Sequence, residues 1–258
     1  MTHDIPVVRN APVATCSRQI GYCEQQCPVI PMPWWKRAID IVAASVGLLV
    51  LAPLLAGLAV YIRLVSPGPV LFKQRRVGLG GKPFTCLKFR TMHIEAGVDV
   101  HQNYLRHLIT GDGIMTKLDH GGDPRVIRGG SLMRHAGIDE LPQLVNVLLG
   151  QMSLIGPRPC IPYEFEHYCH CKQQRVCVTP GLTGLWQVSG KNKTTYDEMV
   201  QLDLAYAMRM SPWQDLRILV RTLPVIVSQV RERNLQPLGS GARAKERVQD
   251  PAESSRQL

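Results

Sequence analysis

The chain has 258 residues, 45% of them hydrophobic, which is enough to bury one sizeable core, and no internal repeat divides it further, so one folded domain is expected. A formal net charge of +10 suits a polyanionic partner, but nucleic acid, anionic lipid and phosphorylated substrate meet that condition alike, so the placement of the charge has to decide. Eight cysteines without a signal sequence point away from a disulfide framework and towards reduced thiols, which favours the cytosolic side.

Residues 1–33 hold five prolines and three cysteines with no sustained period, and are expected to form a disordered or loosely attached arm. Its Cys16, Cys23 and Cys27, and the later His167, Cys169, His170, Cys171 and Cys177, lack the paired C-x-x-C spacing of a zinc site, so free thiols are the expectation for both groups. At Trp34-Trp35-Lys36-Arg37 two aromatics and two cations precede a long apolar run, an interface signature. From Ile41 to Ile62 there follow 22 residues without a charge, long enough to cross a hydrocarbon core of about 30 Å. Pro53 in the middle removes a helical hydrogen bond, so a kinked or re-entrant helix competes with a straight span. A buried core helix is the bland alternative.

Between Arg63 and Arg90 lie seven basic residues and no acidic one. That excess sets this flank on the cytoplasmic face beside anionic headgroups. With Trp34 to Arg37 making the other flank basic as well, a hairpin-like segment with both ends cytoplasmic fits best. The Gly78-Leu79-Gly80-Gly81-Lys82-Pro83 stretch lacks the spacing of a nucleotide loop. It reads as a turn between strands around Val70-Leu71-Phe72 and Phe84-Thr85-Cys86-Leu87. If the second strand continues, Lys88 and Arg90 share a face. His93 to Gly130 gives no clear assignment, Tyr163 to Gln174 resembles a surface helix, and Thr179 to Val188 reads as turn then strand. Ser211 N-caps a helix opening at Pro212, with Leu216, Leu219, Val220 and Leu223 at helical spacing; an interfacial and a core-facing helix fit equally. The tail, residues 234–258, is expected to be disordered. The fold class expected is α+β, helix-rich, with a small β-hairpin.

The acids Asp139 and Glu140 stand between these elements. Asp139 can N-cap a helix running from Glu140 to Leu149, with Leu141, Leu144, Val145 and Leu148 as its buried stripe. A carboxylate at a helix N-terminus is equally placed for phosphoryl chemistry, because terminal N–H groups stabilise an attached phosphate.

The stretches Asp139-Glu140-Leu141-Pro142-Gln143-Leu144 and Met152-Ser153-Leu154-Ile155-Gly156-Pro157-Arg158-Pro159 resemble the signature of the bacterial sugar transferase family, monotopic polyprenyl-phosphate phosphoglycosyl transferases. The likeness extends through Lys36 to Asp40, Lys88 to Met92, Asp123 to Val126, Pro180 to Gly184 and Asp203 to Tyr206, covering residues 34–230. It is strongest to short members that hold the catalytic domain alone and initiate exopolysaccharide synthesis. It implies a catalytic domain over residues 34–233, with a Pro-kinked re-entrant helix at about residues 39–62 and interfacial amphipathic helices, at the bacterial inner membrane with its site on the cytoplasmic face. It further implies transfer of hexose-1-phosphate from a UDP-sugar, glucose or galactose, to undecaprenyl phosphate, with release of UMP. Asp139 matches the nucleophile that becomes a phosphosugar ester, and Glu140 the residue that holds Mg²⁺. Lys88, Arg134 and Arg158 match cationic positions for phosphates or nucleotide, with Pro157 and Pro159 fixing the turn that presents Arg158. Asp203 and Asp215 also match family positions, though each could instead cap a helix or pair with arginine. The chain departs from the family pattern at Ala136-Gly137-Ile138, Gln151 and Thr179, none of which touches the acid pair.

Membrane lipid is an implied partner, and a homo-oligomer stays open. The competing class is a basic membrane-anchored scaffold or a nucleic-acid-binding protein without catalysis; no binding module or interleaved surface aromatics favour nucleic acid.

Overall fold

The computed structural model describes residues 29–93, 125–190 and 194–235. The expected arm and tail lie mostly outside the described residues, as does most of His93 to Gly130 and, with it, Asp123 of the family likeness.

The charge-free run belongs to a single helix, α1 (Trp34–Val65), long and apolar enough to cross a membrane. Its helical assignment is continuous through Pro53, which lies on the exposed side. Its buried and half-buried positions Lys36, Asp40, Ala44, Leu48, Leu51, Leu55, Leu58 and Ile62 recur every three or four residues and so form one face of the cylinder. At about 1.5 Å per residue that stripe is about 40 Å long. The first half packs on Cys86, Leu144, Val147 and Met152, the second on Phe89, Ile127 and Met133. The helix therefore lies lengthwise on the rest of the chain, and both of its ends touch it. Its opposite face is bare, with Val42, Val46, Leu49, Val50, Val60 and Leu64 exposed.

The first two turns of α1 correct the reading of Lys36 and Arg37 as headgroup cations. Lys36 is buried, pairs with Asp215 and donates to the Tyr206 hydroxyl at 3.1 Å. Arg37 donates to the Val147 and Leu148 carbonyls at 2.6 and 2.7 Å, and the Asp40 carboxylate accepts from the Leu154 N–H at 2.9 Å. These groups meet protein donors and acceptors before any lipid could, because the stripe that carries them is the packed one.

Strands β1 (Leu71–Val77) and β2 (Pro83–Phe89) form the expected hairpin, antiparallel with Leu71 opposite Phe89 and Val77 opposite Pro83. The turn between them is a short 3₁₀ segment, Leu79–Gly81. The basic flank divides: Arg63, Lys73, Arg75 and Lys82 stay exposed, whereas Arg76 and Arg90 are buried. The strand ends at Phe89, so Arg90 parts from Lys88 and donates to the Ser66 and Pro67 carbonyls just beyond α1.

Next come α2 (Gly130–Ala136), a 3₁₀ turn (Ile138–Glu140), α3 (Gln143–Leu148) and β3 (Ser153–Ile155). Strand β3 pairs in parallel with β4 (Gly181–Thr183). A Cβ on Gly181 would sit 2.0 Å from the Gly156 nitrogen, and one on Gly156 2.5 Å from the Thr179 carbonyl oxygen. Only bare backbones can cross that closely.

The segment expected as one surface helix from Tyr163 to Gln174 is instead α4 (Pro162–Glu166), α5 (His170–Gln173) and a 3₁₀ segment (Gln174–Cys177). It turns because Glu164, Tyr168 and Arg175 point inward. The expected strand to Val188 stops at Thr183, and Leu185–Val188 forms a one-turn helix, α6, with Trp186 buried. Helices α7 (Tyr196–Met208) and α8 (Pro212–Leu235) complete the fold. Ser211 caps α8 as expected, its Oγ accepting from the Gln214 N–H at 3.2 Å. The choice left open for α8 falls on the exposed side: Ile218 and Asp215 are buried, while Trp213, Leu216, Leu219, Val220, Leu223 and Val227 are bare. The whole is α+β and helix-rich, with two small two-stranded sheets among the described residues.

Candidate active site

Asp139 does not N-cap a helix. Gly137, at φ +70°, ends α2 and turns the chain into the 3₁₀ segment that carries both acids, and α3 starts only at Gln143 with Pro142 as its cap. A six-residue helix has little dipole to offer the carboxylate. Of the expected stripe, Leu144 is buried while Leu141, Val145 and Leu148 are only half-buried; Gln143, Asn146 and Val147 take the inner face. Asp139 itself is buried and Glu140 half-buried.

Lys88 reaches across from β2 and pairs with Glu140 at 2.6 Å. Asn146 sets that distance. Its amide accepts from the Leu87 N–H at 3.0 Å and donates to the Thr85 carbonyl at 2.7 Å, so a side chain on α3 binds the strand that carries Lys88 much as a neighbouring strand would. Beneath them lies Cys86, within electrostatic reach of Lys88, Arg76, Glu140 and Arg158. Burial pushes this thiol above its ordinary value, with the cations opposing and Glu140 reinforcing. Arg134 sits half-buried in the last turn of α2, just before Gly137.

Pro157 and Pro159 are buried on either side of half-buried Arg158. The Arg158 guanidinium lies over the Trp186 ring, 5.7 Å from its centroid, a cation–π distance. Arg76 donates to the Pro159 carbonyl at 2.8 Å; burial and the nearby Arg158 charge both hold its pKa below the ordinary arginine value. Arg175 donates to the Arg158 carbonyl at 3.3 Å and to Asp203 at 2.6 and 3.1 Å. Burial pushes the neighbouring Cys160 thiol up to about 11. Asp203 pairs with an arginine, Arg175, as one of the alternatives left open for it had it, whereas Asp215 pairs with a lysine, Lys36, and not with an arginine.

Sequence reasoning missed Arg76, Arg175, Trp186 and Asn146 as parts of this site. Nothing local marks them, since each acts across a separation of dozens of residues. Among the described residues no group of three or more His, Cys, Asp or Glu gathers for a metal; Cys16, Cys23 and Cys27 lie outside them. Cys86, Cys160 and Cys169 are free thiols as expected, but Cys177 is disulfide-bonded, so the expectation of free thiols fails at that position: its buried sulfur lies within bonding reach of a second one. The half-buried Glu140 carboxylate is the donor type that a hard ion such as Mg²⁺ would take, since that ion keeps much of its water and needs only one or two carboxylates beside substrate phosphates.

The structure thus sets an acid pair, one member bound to a lysine, on a helix-rich chain whose long apolar helix is compatible with membrane association. The chain belongs to the bacterial sugar transferase family, whose model matches residues 32–229. It is 42% identical over 212 residues to the UDP-glucose:undecaprenyl-phosphate glucose-1-phosphate transferase of Caulobacter vibrioides, covering 78% of this chain and 73% of that one. It is 39% identical over 196 residues to the exopolysaccharide production protein ExoY of Rhizobium meliloti, covering 74% and 84%. With the galactosyl transferase CpsE of Streptococcus agalactiae it shares 40% over 209 residues, covering 81% of this chain but 43% of that protein; the chain thus spans less than half the length of some relatives it matches.

Proposed function

We propose that this chain transfers a hexose-1-phosphate from a UDP-sugar to undecaprenyl phosphate, as the first membrane step of exopolysaccharide synthesis. The observation that carries the reading is the acid pair itself, with Glu140 bound to Lys88. Relatives named for glucose and for galactose transfer support the donor class and leave both sugars as candidates.

In the first half-reaction an Asp139 carboxylate oxygen attacks the β-phosphorus of the UDP-sugar. The anhydride bond between the two phosphorus atoms breaks, UMP leaves with the bridging oxygen, and the sugar phosphate stays on Asp139 as an acyl phosphate. In the second, a phosphate oxygen of undecaprenyl phosphate attacks the same phosphorus. The diphosphate product forms and the Asp139 carboxylate is free again. Arg158 and Arg134 bind phosphate oxygens or the nucleotide, Arg158 from a fixed turn, and Lys88 holds the second acid in place. Glu140 would hold Mg²⁺, which supplies charge neutralisation to the diphosphate.

The lipid substrate calls for a site at a bilayer surface. A helix that lies lengthwise on its domain, with both ends touching it, supports a re-entrant, single-leaflet path for α1 over a span; the bare face of α8 adds interfacial area. Exposed Arg63, Lys73, Arg75 and Lys82 suit the anionic cytoplasmic leaflet of the inner membrane. Incubation with UDP-glucose or UDP-galactose, undecaprenyl phosphate and Mg²⁺ tests the reaction. UMP and a lipid-linked sugar phosphate are expected; release of UDP, or full activity in Asp139→Asn, overturns the mechanism.

A further inference from the structure

We propose that Arg175, held by Asp203, and Arg76 are positioning residues that together fix the Pro157-Arg158-Pro159 turn and so aim Arg158 at the donor. The inference rests on the phosphotransfer reading above and adds to it a mechanism of alignment.

The two arginines hold consecutive carbonyls from separate elements. Arg76 comes from β1 and donates to Pro159 at 2.8 Å. Arg175 comes from the 3₁₀ segment Gln174–Cys177 and donates to Arg158 at 3.3 Å. Both are almost wholly buried, at 5% and 3% exposure. Each is itself restrained. Gln74 accepts two bonds from Arg76, at 3.0 and 2.7 Å; Arg175 gives Nε and Nη2 to one Asp203 oxygen and Nη1 to the Tyr168 hydroxyl at 2.7 Å.

Stability alone does not account for this arrangement. Two guanidinium groups and a carboxylate have left water, and a buried ion pair of this kind is often matched or bettered by apolar residues of the same volume. Asp203 is fully buried, and beside Arg175 its carboxylate meets only the Arg158 backbone, so burial of the charge is costly for what it gains. What it delivers is geometry. A guanidinium fork fixes direction as well as distance; here each fork grips its own partner, Gln74 or Asp203, and offers one N–H to a carbonyl, so two adjacent carbonyls of the turn are held from two restrained side chains. The Arg158 side chain then leaves a rigid base and rests on the Trp186 face. A phosphate contact misplaced by about 1 Å can cost about a hundredfold in rate.

The test is a double-mutant cycle on the full-length chain in detergent or nanodiscs, following UMP release from UDP-glucose and UDP-galactose. Arg175→Lys keeps the charge and loses the fork. It is expected to lower kcat/KM by about tenfold to a hundredfold with a melting temperature near the parent's. In an Arg158→Ala background the same change is expected to alter kcat/KM by less than about twofold, because a residue acting through Arg158 has nothing left to position. Arg76→Lys, taken through the same cycle, gives an independent reading should Arg175→Lys fold poorly. Losses that multiply with Arg158→Ala, or a wild-type kcat/KM in both lysine variants, overturn the clamp. An unsubstituted chain that releases no UMP from either donor overturns the reaction itself, so the two failures are told apart.

Discussion

The two walls of the site are built on opposite terms. The wall carrying Arg158 is locked: glycine backbones cross without room for a Cβ, buried arginines hold successive carbonyls, and Trp186 backs the side chain. The wall carrying the acids is light. A 3₁₀ turn presents them, and the pair that one of them, Glu140, makes with Lys88 leaves 33% of the Glu140 and 20% of the Lys88 side chain in contact with solvent. On the reaction proposed above, a rigid wall would suit a donor that must be held in line, and a partly solvated ion pair would be the one free to open.

Substitutions on each side should separate these terms. Asp139→Asn on the light wall should reduce UMP release by at least about a thousandfold, about 4 kcal/mol of barrier, with little change in melting temperature. A matching fall in thermal stability would mean that the acid also holds the fold. Gly181→Ala on the locked wall should destabilise by about 3 kcal/mol or more, because the added carbon meets backbone that cannot yield; chemical denaturation or limited proteolysis reads this directly. Cys160, on the same wall, carries a pH signature. Its folded pKa of about 11 lies above the ordinary 9.0, so the unfolded chain loses this proton first. Its contribution is intact below about pH 9 and fades as pH rises towards 11, by up to about 2.7 kcal/mol. Denaturation midpoints in Cys160→Ala should therefore fall less steeply over that window than those of the parent; parallel curves would count against it. The smallest effect is expected from Lys88→Met, which should cost less than about 1 kcal/mol of stability because its partner is partly solvated. Its mark should appear in the Mg²⁺ concentration needed for half-maximal activity, and an unchanged requirement would detach Lys88 from the metal-holding acid.

Local signals were legible where the chain obeys local rules. The hairpin followed from Gly78 to Pro83, the opening of α8 from Ser211-Pro212, and the long helix from an uncharged run. The acid pair and the Pro-Arg-Pro turn were legible as sequence neighbours. Hidden from sequence were the partners that cross the fold, Arg76 to Pro159 and Arg175 to Asp203, since neither end carries a periodic or spacing cue. Patterning also misled where polar groups turn inward. Glu164, Tyr168 and Arg175 break what looked like one surface helix, and Lys36 and Arg37 looked like headgroup cations because adjacency to an apolar run is the only context a sequence offers. One cue stood in plain view unread: Thr195-Tyr196-Asp197-Glu198 is the capping box that starts α7, with both reciprocal bonds present.

The first turns of α1 bear on whether its membrane helix is a detachable module. Arg37 closes the end of α3, Asp40 meets the Leu154 N–H just ahead of the Pro-Arg-Pro turn, and Lys36 neutralises buried Asp215. Trimming the chain to a soluble fragment after Val65 would strip all of these at once and leave the stranded groups buried. The anchor cannot be traded for an arbitrary hydrophobic helix either. A fusion that keeps these contacts places its seam ahead of Trp34, so the long helix and the unit it packs on move as one piece.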